Sequence, residues 1–253
     1  MPHFLLLALG LISSSAVAAD LPDAATVQKE LRAIVTQPNG DFGLHMWATL
    51  VGRDGRDGTM RVVTFSGEGC GDQWPGSRVI SAQKAFTANA FSLPKLALST
   101  GRLYFAVQPG GSLFGLQHSN PVDATAAYAG KAENIGTAKG PLVGKWIGGV
   151  NVFGDGLALY AAEGARLGGL GLSGDSSVAD HIIAWKLRHA LGLDHLPGGV
   201  SPTGDDNLVI DTVGGTSASG WGHAATTEPA TARIKGLPAA VPVAKAKRPH
   251  IRR

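Results

Sequence analysis

The order in which helical and strand-like patterns follow one another constrains the fold of this chain most. Apolar side chains recur every three or four residues over 79–93, where Pro94 ends the pattern, and again over 177–191, which is typical of amphipathic helices. A further helix is predicted over 23–36, and strands are predicted at 44–51, 60–66, 103–107, 146–153, 156–161 and 165–172. Because strands come in hairpins with helices between the groups, we expect an α+β fold, an antiparallel sheet of about five strands with flanking helices mainly on one face.

The first nineteen residues have the features of a cleavable signal peptide. An apolar stretch at 4–12 is followed by three serines and then by 16–19 (AVAA), a small-residue site of the A-x-A type. The stretch is about half as long as the roughly 20 apolar residues of a membrane-spanning helix, and no later stretch is longer, so no transmembrane segment is predicted. The sequence therefore predicts a signal peptide over 1–19 and a periplasmic or secreted mature protein.

Charge and cysteine content narrow the classes of partner. The chain has 22 Lys or Arg and 19 Asp or Glu, but five of the bases fall in the last nine residues, so the rest is slightly acidic. A short basic end on an exported chain is interpreted as a solvated tail, and no nucleic-acid partner is predicted. Cys70 is the only cysteine, which excludes an intramolecular disulfide and a thiolate zinc site.

The chain after the signal peptide is interpreted as one domain with two additions. The α+β domain is predicted over 20–213, with an inserted loop at 114–145, and an extended C-terminal tail is predicted over 214–253, basic at its end. The loop belongs to a turn-rich stretch that is too long for an ordinary connection, and long loops of this kind are usually functional. The tail is rich in Gly, Ser and Thr, which favours extended structure.

No catalytic motif is complete in this sequence. Residues 174–176 (GDS) imitate the start of an esterase motif, but the D-x-x-H pair that would complete it is missing, since the Asp-His pairs at 180–181 and 194–195 are adjacent. Neither a G-x-S-x-G elbow, a phosphate-binding loop nor an H-E-x-x-H helix occurs. No catalytic residue is therefore predicted, and a binding protein is favoured over an enzyme.

Four short segments, in order along the chain, together resemble the GlcG/HbpS-like (DUF336) family. Residues 82–88 (AQKAFTA) are similar to its A-x-K-A-x-T-A helix, and 147–150 (IGGV) to its Gly-Gly-containing strand. Residues 169–174 (GLGLSG) are similar to its G-x-G-x-S-G hairpin, which Asp180 follows at the start of a helix. The resemblance spans about 44–193, and the chain is identified as an exported long form because of its inserted loop and tail.

The resemblance implies a small antiparallel sheet flanked by helices, assembly into homo-oligomers and, in several members, heme binding. An exported chain of this kind is expected to act as a carrier, a scavenger or a sensing component for heme or a related planar cofactor. The alternatives are an accessory protein of a catabolic pathway that binds a small organic acid, and a weak heme-dependent peroxidase.

Candidate binding residues follow from what heme requires, namely an apolar slot, usually an axial His, Met, Cys or Tyr, and polar groups near the propionates. The predicted iron ligands are His181, on a helix that also carries Trp185, and His118 in the inserted loop. Lys84 and Thr87 lie three residues apart on one helix face, where they could meet ligand carboxylates. The ordinary alternatives are a polar role for each histidine, solvent exposure for Lys84 and helix packing for Thr87.

Overall fold

A computed structural model describes residues 20–53 and 58–243 of the chain, so the predicted signal peptide and the basic end at 244–253 lie outside the described residues. None of the described helices is both long and apolar enough to cross a membrane. The α-helices are α1 (Ala24–Val35), α2 (Ser77–Phe91), α3 (Leu116–Ser119), α4 (Ala124–Ala127), α5 (Ser177–Ala190) and α6 (Glu228–Ile234). The strands are β1 (Trp47–Gly52), β2 (Thr59–Phe65), β3 (Gly156–Tyr160), β4 (Arg166–Ser173), β5 (His195–Leu196), β6 (Thr212–Val213), β7 (Thr216–Ser217) and β8 (Val241–Pro242).

Four strands form the central antiparallel sheet, in the order β2-β1-β4-β3. Trp47 of β1 lies opposite Phe65 of β2 on one side and opposite Ser173 of β4 on the other. The remaining strands form two small sheets, β5 with β8 and β6 with β7. The structure therefore confirms the predicted α+β class and its antiparallel sheet.

Helices cover both faces of the central sheet, so the expectation that they lie mainly on one face is wrong. Alternate side chains of a strand point to opposite faces. Ala48 and Leu50 pack with α1 and α5, whereas Trp47 and Val51 pack with α2. The physical reason is that β1 is buried at all six positions, and a strand that is apolar on both sides needs cover on both.

Glycines on β4 allow α2 to lie directly on the sheet. A Cβ atom added to Gly171 would lie 2.0 Å from the carbonyl oxygen of Ser81, and one added to Gly169 would lie 2.3 Å from that of Ala85. Any larger residue at either position would push the helix away from the strand. The close approach places Lys84 of α2 against β4.

Two of the predicted strands are wrong. Residues 103–107 lie in 3₁₀ helices, and 146–153 contain no strand and make one isolated bridge, between Val122 and Gly148. Gly148 and Gly149 have φ angles of 63° and 87°, a left-handed conformation that interrupts extended pairing. The apolar character of these segments reflects partial burial in irregular structure rather than membership of a sheet.

The described part of the C-terminal tail packs back on the domain. Ala230 and Ile234 of α6 are buried against Val178 and Ile182 of α5. Strand β8 then pairs in parallel with β5. The tail thus lies over α5, the helix that carries His181, while the predicted division between domain and tail at 213 stays a prediction.

Candidate functional site

A buried ion pair joins α2 to α5. Nζ of Lys84 lies 2.6 Å from Oδ2 of Asp180, and both side chains are buried. Nζ also donates to the carbonyl oxygen of Leu172 at 2.8 Å, while Oδ1 of Asp180 accepts the N–H groups of Gly174 and Asp175. Burial lowers the pKa of Lys84, and the Asp180 carboxylate opposes that shift. The carboxylate that Lys84 meets here belongs to the protein, and its binding of a ligand carboxylate stays a prediction.

Thr87 fastens the glycine-containing segment before β3 to α2. Its hydroxyl accepts the N–H of Asn151 at 3.0 Å and donates to the carbonyl oxygen of Gln83 at 2.8 Å. This segment leads to Asp155, whose Oδ1 accepts the N–H of Gly101 at 2.6 Å. In the described structure Thr87 therefore ties α2 to the segment that precedes Asp155, and a contact of Thr87 with a ligand stays a prediction.

His181 is fully buried, and both of its ring nitrogens are engaged. Nδ1 contacts the carboxylate of Asp155, and Nε2 lies 2.8 Å from Oδ1 of Asn207. Burial lowers the pKa of His181 to about 3, against the opposing effect of the contact with Asn207. The ring is therefore neutral at neutral pH, which is the state of imidazole that binds metals.

A cavity of about 760 Å³ lies between α5 and the described part of the tail, and we call it the C-terminal cavity. Asn207 lines it and separates it from His181, while Trp185, whose ring centroid is 5.6 Å from that of His181, forms part of its wall. The indole N–H of Trp185 donates to the carbonyl oxygen of Pro238 at 2.8 Å, which holds the tail across the cavity. The other lining residues include Leu196, Ser201, Thr203, Leu208, Ile234, Lys235 and Leu237.

The two histidines predicted as iron ligands do not lie together. His118 is exposed on α3, and no described contact links it to His181. His223, which the sequence analysis does not single out, is buried. Its Nε2 accepts the N–H of Gly154, the neighbour of Asp155, at 3.3 Å. Its ring lies 4.6 Å from that of Tyr104, and burial lowers its pKa to about 4.

The residues around the C-terminal cavity can be tested against the requirements of heme. Apolar walls supply a slot, and Lys235, Ser201 and Thr203 supply polar groups for carboxylates. No His, Met, Cys or Tyr is among the described lining residues, but Nε2 of His181 lies directly behind Asn207. A heme in this cavity would reach Nε2 of His181 only if the Asn207 side chain turned aside. Within 20–53 and 58–243 no cluster of three or more His, Cys, Asp or Glu could hold a separate metal ion.

Sequence reasoning missed Asp155 and Asn207, the partners of His181. Asp155 lies between two glycines in a turn-like segment, and Asn207 lies in a Gly- and Ser-rich stretch, so each is typical of an ordinary loop. Both are far from His181 in the chain, and no spacing rule connects them to it. The sequence signal that could locate this site lies at the start of α5, where Asp180 and His181 are consecutive polar residues on a largely buried helix.

Comparison with known proteins finds similarity in structure. No protein-family model and no curated protein matches this chain. It is similar to the crystal structure of a PduOC–heme complex, with 25% identity over 68% of this chain and 95% of that one and a TM-score of 0.45. It is also similar to Klebsiella pneumoniae ORFY, of the DUF336 family model, with 19% identity over 70% and 94% and a TM-score of 0.44. A Streptomyces reticuli HbpS double mutant shares 19% identity over 76% and 99%, with a TM-score of 0.42.

Proposed function

We propose that this chain, whose motifs resemble the GlcG/HbpS-like family, binds heme or a related planar cofactor outside the cytoplasm. In this proposal the protein serves as a carrier, a scavenger or a sensing component. The C-terminal cavity would hold the ring, and Nε2 of His181 would bind the iron once Asn207 has turned aside. Lys235, Ser201 and Thr203 are the groups proposed to receive the carboxylates.

The observation that carries this proposal is the contact between Asp155 and His181. Histidines that bind metals usually donate the other ring N–H to a carboxylate or carbonyl, which fixes the tautomer and orients the free nitrogen. Oδ1 of Asn207, a residue of the cavity wall, can only accept, so Nε2 carries its proton in the described structure. Asp155 lies at Nδ1, so once Asn207 turns aside the proton can move to Nδ1 and be donated to Asp155, which would leave the lone pair of Nε2 free. Bound heme would supply an iron centre to this nitrogen, and the chain would supply its orientation and an apolar surrounding.

Asn207 is expected to resist ligand entry because it is well bonded. Its Oδ1 accepts the N–H of Leu208 at 2.8 Å in addition to its contact with His181, and its Nδ2 donates to the carbonyl oxygen of Ile234 at 3.3 Å. Turning the side chain aside breaks these bonds, each worth about 1 kcal/mol net. A smaller residue at this position should therefore increase affinity.

A hemin titration of the mature chain, followed by the Soret band, tests the proposal. We expect a shifted band at micromolar protein, its loss in His181→Gln, and binding at least about tenfold tighter in Asn207→Ala, since the bonds of the asparagine no longer oppose entry. His118→Gln is the matched control and should keep the band of the unaltered chain. Circular dichroism establishes that each variant is folded. A titration without a band shift, or an unchanged band in folded His181→Gln, contradicts the proposal.

Export and assembly belong to the same proposal. Cleavage after Ala18 or Ala19 would give a mature chain that begins at Ala19 or Asp20, which mass spectrometry of the exported protein would detect. Assembly into homo-oligomers is supported by aromatic side chains that stay largely exposed in the single chain, including Phe42 at 70% and Phe114 at 67%. Light scattering would then give a mass that is a multiple of the chain mass.

A further inference from the structure

One buried arginine has no hydrogen-bond partner for its charged group. Arg102 lies in the 3₁₀ helix Thr100–Leu103 and is fully buried. Among the described residues, none accepts a hydrogen bond from its Nε, Nη1 or Nη2. A guanidinium has five N–H donors, and buried polar groups nearly always have partners, so a guanidinium without acceptors calls for a functional explanation.

Aspartates, rather than a bound anion, are the acceptors that Arg102 has at hand. Burial lowers the pKa of Arg102 to about 10, so the side chain stays charged at neutral pH. The carboxylates of Asp205, Asp206 and Asp211 oppose the shift, and Asp205 has the largest effect of the three. Because three carboxylates already act on this guanidinium, a further anion beside it would be repelled. One of the three is therefore the expected acceptor.

Asp205 is the aspartate that connects Arg102 with the proposed heme site. Its Oδ1 accepts the hydroxyl of Ser201 and the N–H of Asn207, the latter at 3.0 Å. Asp205 also lines the C-terminal cavity. The carboxylate that acts most strongly on Arg102 thus also holds the backbone of Asn207, the residue that must turn aside.

Asp206 gives this segment a fixed point. Its carboxylate forms two bonds with the guanidinium of Arg188 on α5, each with an N–O distance of 2.7 Å. Two-bond pairs of arginine and carboxylate are among the strongest contacts between side chains. Asp205 and Asn207 can therefore exchange their contacts while Asp206 keeps the segment attached to α5.

We infer that Arg102 is a positioning residue, which binds the Asp205 carboxylate when Asn207 turns away from His181. The inference rests on the proposed function, because it states how the proposed heme site opens. In the opening, Asp205 gives up the Ser201 hydroxyl and the N–H of Asn207 and gains N–H donors of Arg102. Bonds that involve charged groups are about twice as strong as those between neutral groups, so the new contact offsets the loss. The described structure is the closed form of the site.

A double-mutant cycle with hemin tests the inference. Arg102→Met keeps most of the length of the side chain but not its charge, so it should favour the closed form and weaken hemin binding at least about tenfold. Asn207→Ala removes the group that blocks Nε2 of His181, so in that background Arg102→Met should change the affinity less than about twofold. Arg102→Lys keeps the charge and should restore part of the affinity. Equal weakening in the two backgrounds would overturn the inference.

Two further variants separate the contact from damage to the fold. Arg78→Met removes another buried arginine, whose Nη2 donates to the carbonyl oxygen of Ala127 at 3.2 Å, away from the lining of the C-terminal cavity, and should leave hemin binding unchanged. Asp205→Asn keeps the shape of the acceptor without its charge and should weaken hemin binding as much as Arg102→Met does. Circular dichroism establishes that each variant is folded. A folded Asp205→Asn that binds hemin as the unaltered chain does would contradict the inference.

Hydrogen exchange at the N–H of Leu208 distinguishes this inference from the proposed function, because it needs no ligand. This N–H donates to Oδ1 of Asn207 at 2.8 Å and is released when the side chain turns. Without hemin, Arg102→Met should slow the exchange about tenfold, because opening becomes rarer, and Asn207→Ala should speed it. Slower exchange in a chain that binds no hemin would contradict the proposed function and support the movement. Exchange that is unchanged or faster in folded Arg102→Met overturns the inference, whether or not hemin binds.

Discussion

At the residue scale, two buried histidines make the folded protein sensitive to acid. Burial lowers the pKa of His181 to about 3 and that of His223 to about 4, whereas the ordinary value is 6.5. The charged groups that act on His223 include Lys84, which further favours its neutral form, while the contact between Nδ1 and the carbonyl oxygen of Ala224 opposes the shift. Between these values the unfolded chain binds more protons than the folded chain, so stability falls as pH falls.

We expect the free energy of unfolding to decrease from pH 6.5 downward, with a contribution from His223 of about 3 kcal/mol that is lost by pH 4. His223→Gln cannot take up this proton, so its difference in stability between pH 7 and pH 4 should be smaller by about that amount. Urea unfolding at the two pH values measures the difference. His118→Gln, an exposed position, is the control and should behave as the unaltered chain. An acid dependence that is the same in His223→Gln would contradict this assignment.

At the element scale, the sequence predicts those helices and strands that bury one regular face, because such burial makes apolar residues recur at a regular spacing. The helices predicted over 79–93 and 177–191 are found at Ser77–Phe91 and Ser177–Ala190, because apolar positions at helical spacing coincide with the face that packs on the sheet. The strands predicted at 103–107 and 146–153 fail because their apolar residues lie in partly buried, irregular chain without regular pairing. Short apolar segments do not distinguish a strand from buried irregular chain.

The candidate site is less predictable than the elements that carry it. His181 and Lys84 stand out in the sequence, but their partners Asp155 and Asp180 are brought to them by tertiary packing. The side chain of Lys84 on α2 reaches Asp180 on α5 because glycines on β4 let α2 lie close to the sheet. Side chains that meet through tertiary packing leave no spacing pattern in the sequence. The sequence could therefore single out His181 and Lys84, but not the residues that they contact.

Substitution of Gly171 tests whether the packing of α2 on β4 requires a residue without a side chain. In Gly171→Ala the new Cβ would lie 2.0 Å from the carbonyl oxygen of Ser81, so α2 must move away from β4. We expect a loss of about 1–3 kcal/mol in the free energy of unfolding, measured in urea. Gly71→Ala, at an exposed position outside the helices and strands, is the control, since nothing lies within 4 Å of the added Cβ, and its stability should change by less than about 0.5 kcal/mol. Equal stability of the two variants would show that α2 and β4 tolerate a wider separation.

At the scale of the whole molecule, the loop at 114–145 and the described tail each line a cavity. Thr137, Ala138 and Val143 of the loop line a cavity of about 710 Å³ at the end of β1, and the described tail supplies a wall of the C-terminal cavity. Neither addition can be removed without opening the cavity it lines. The central sheet and its helices therefore form a core, and the loop at 114–145 and the described tail each help to enclose a cavity beside it.

The tail offers the sharpest test of this view, because it can be shortened in two ways. Ending the chain at Val213 removes α6 and β8, exposes Val178 and Ile182, and takes away the carbonyl oxygen that Trp185 contacts. We expect a loss of roughly 2–5 kcal/mol of stability, a lower melting temperature, and weaker hemin binding, since apolar side chains return to water and the cavity loses a wall. Ending the chain at Val243 removes only 244–253 and should leave both properties unchanged. If the two shortened chains have the same melting temperature and bind hemin equally well, the described tail does not complete the site, and the C-terminal cavity is not where heme binds.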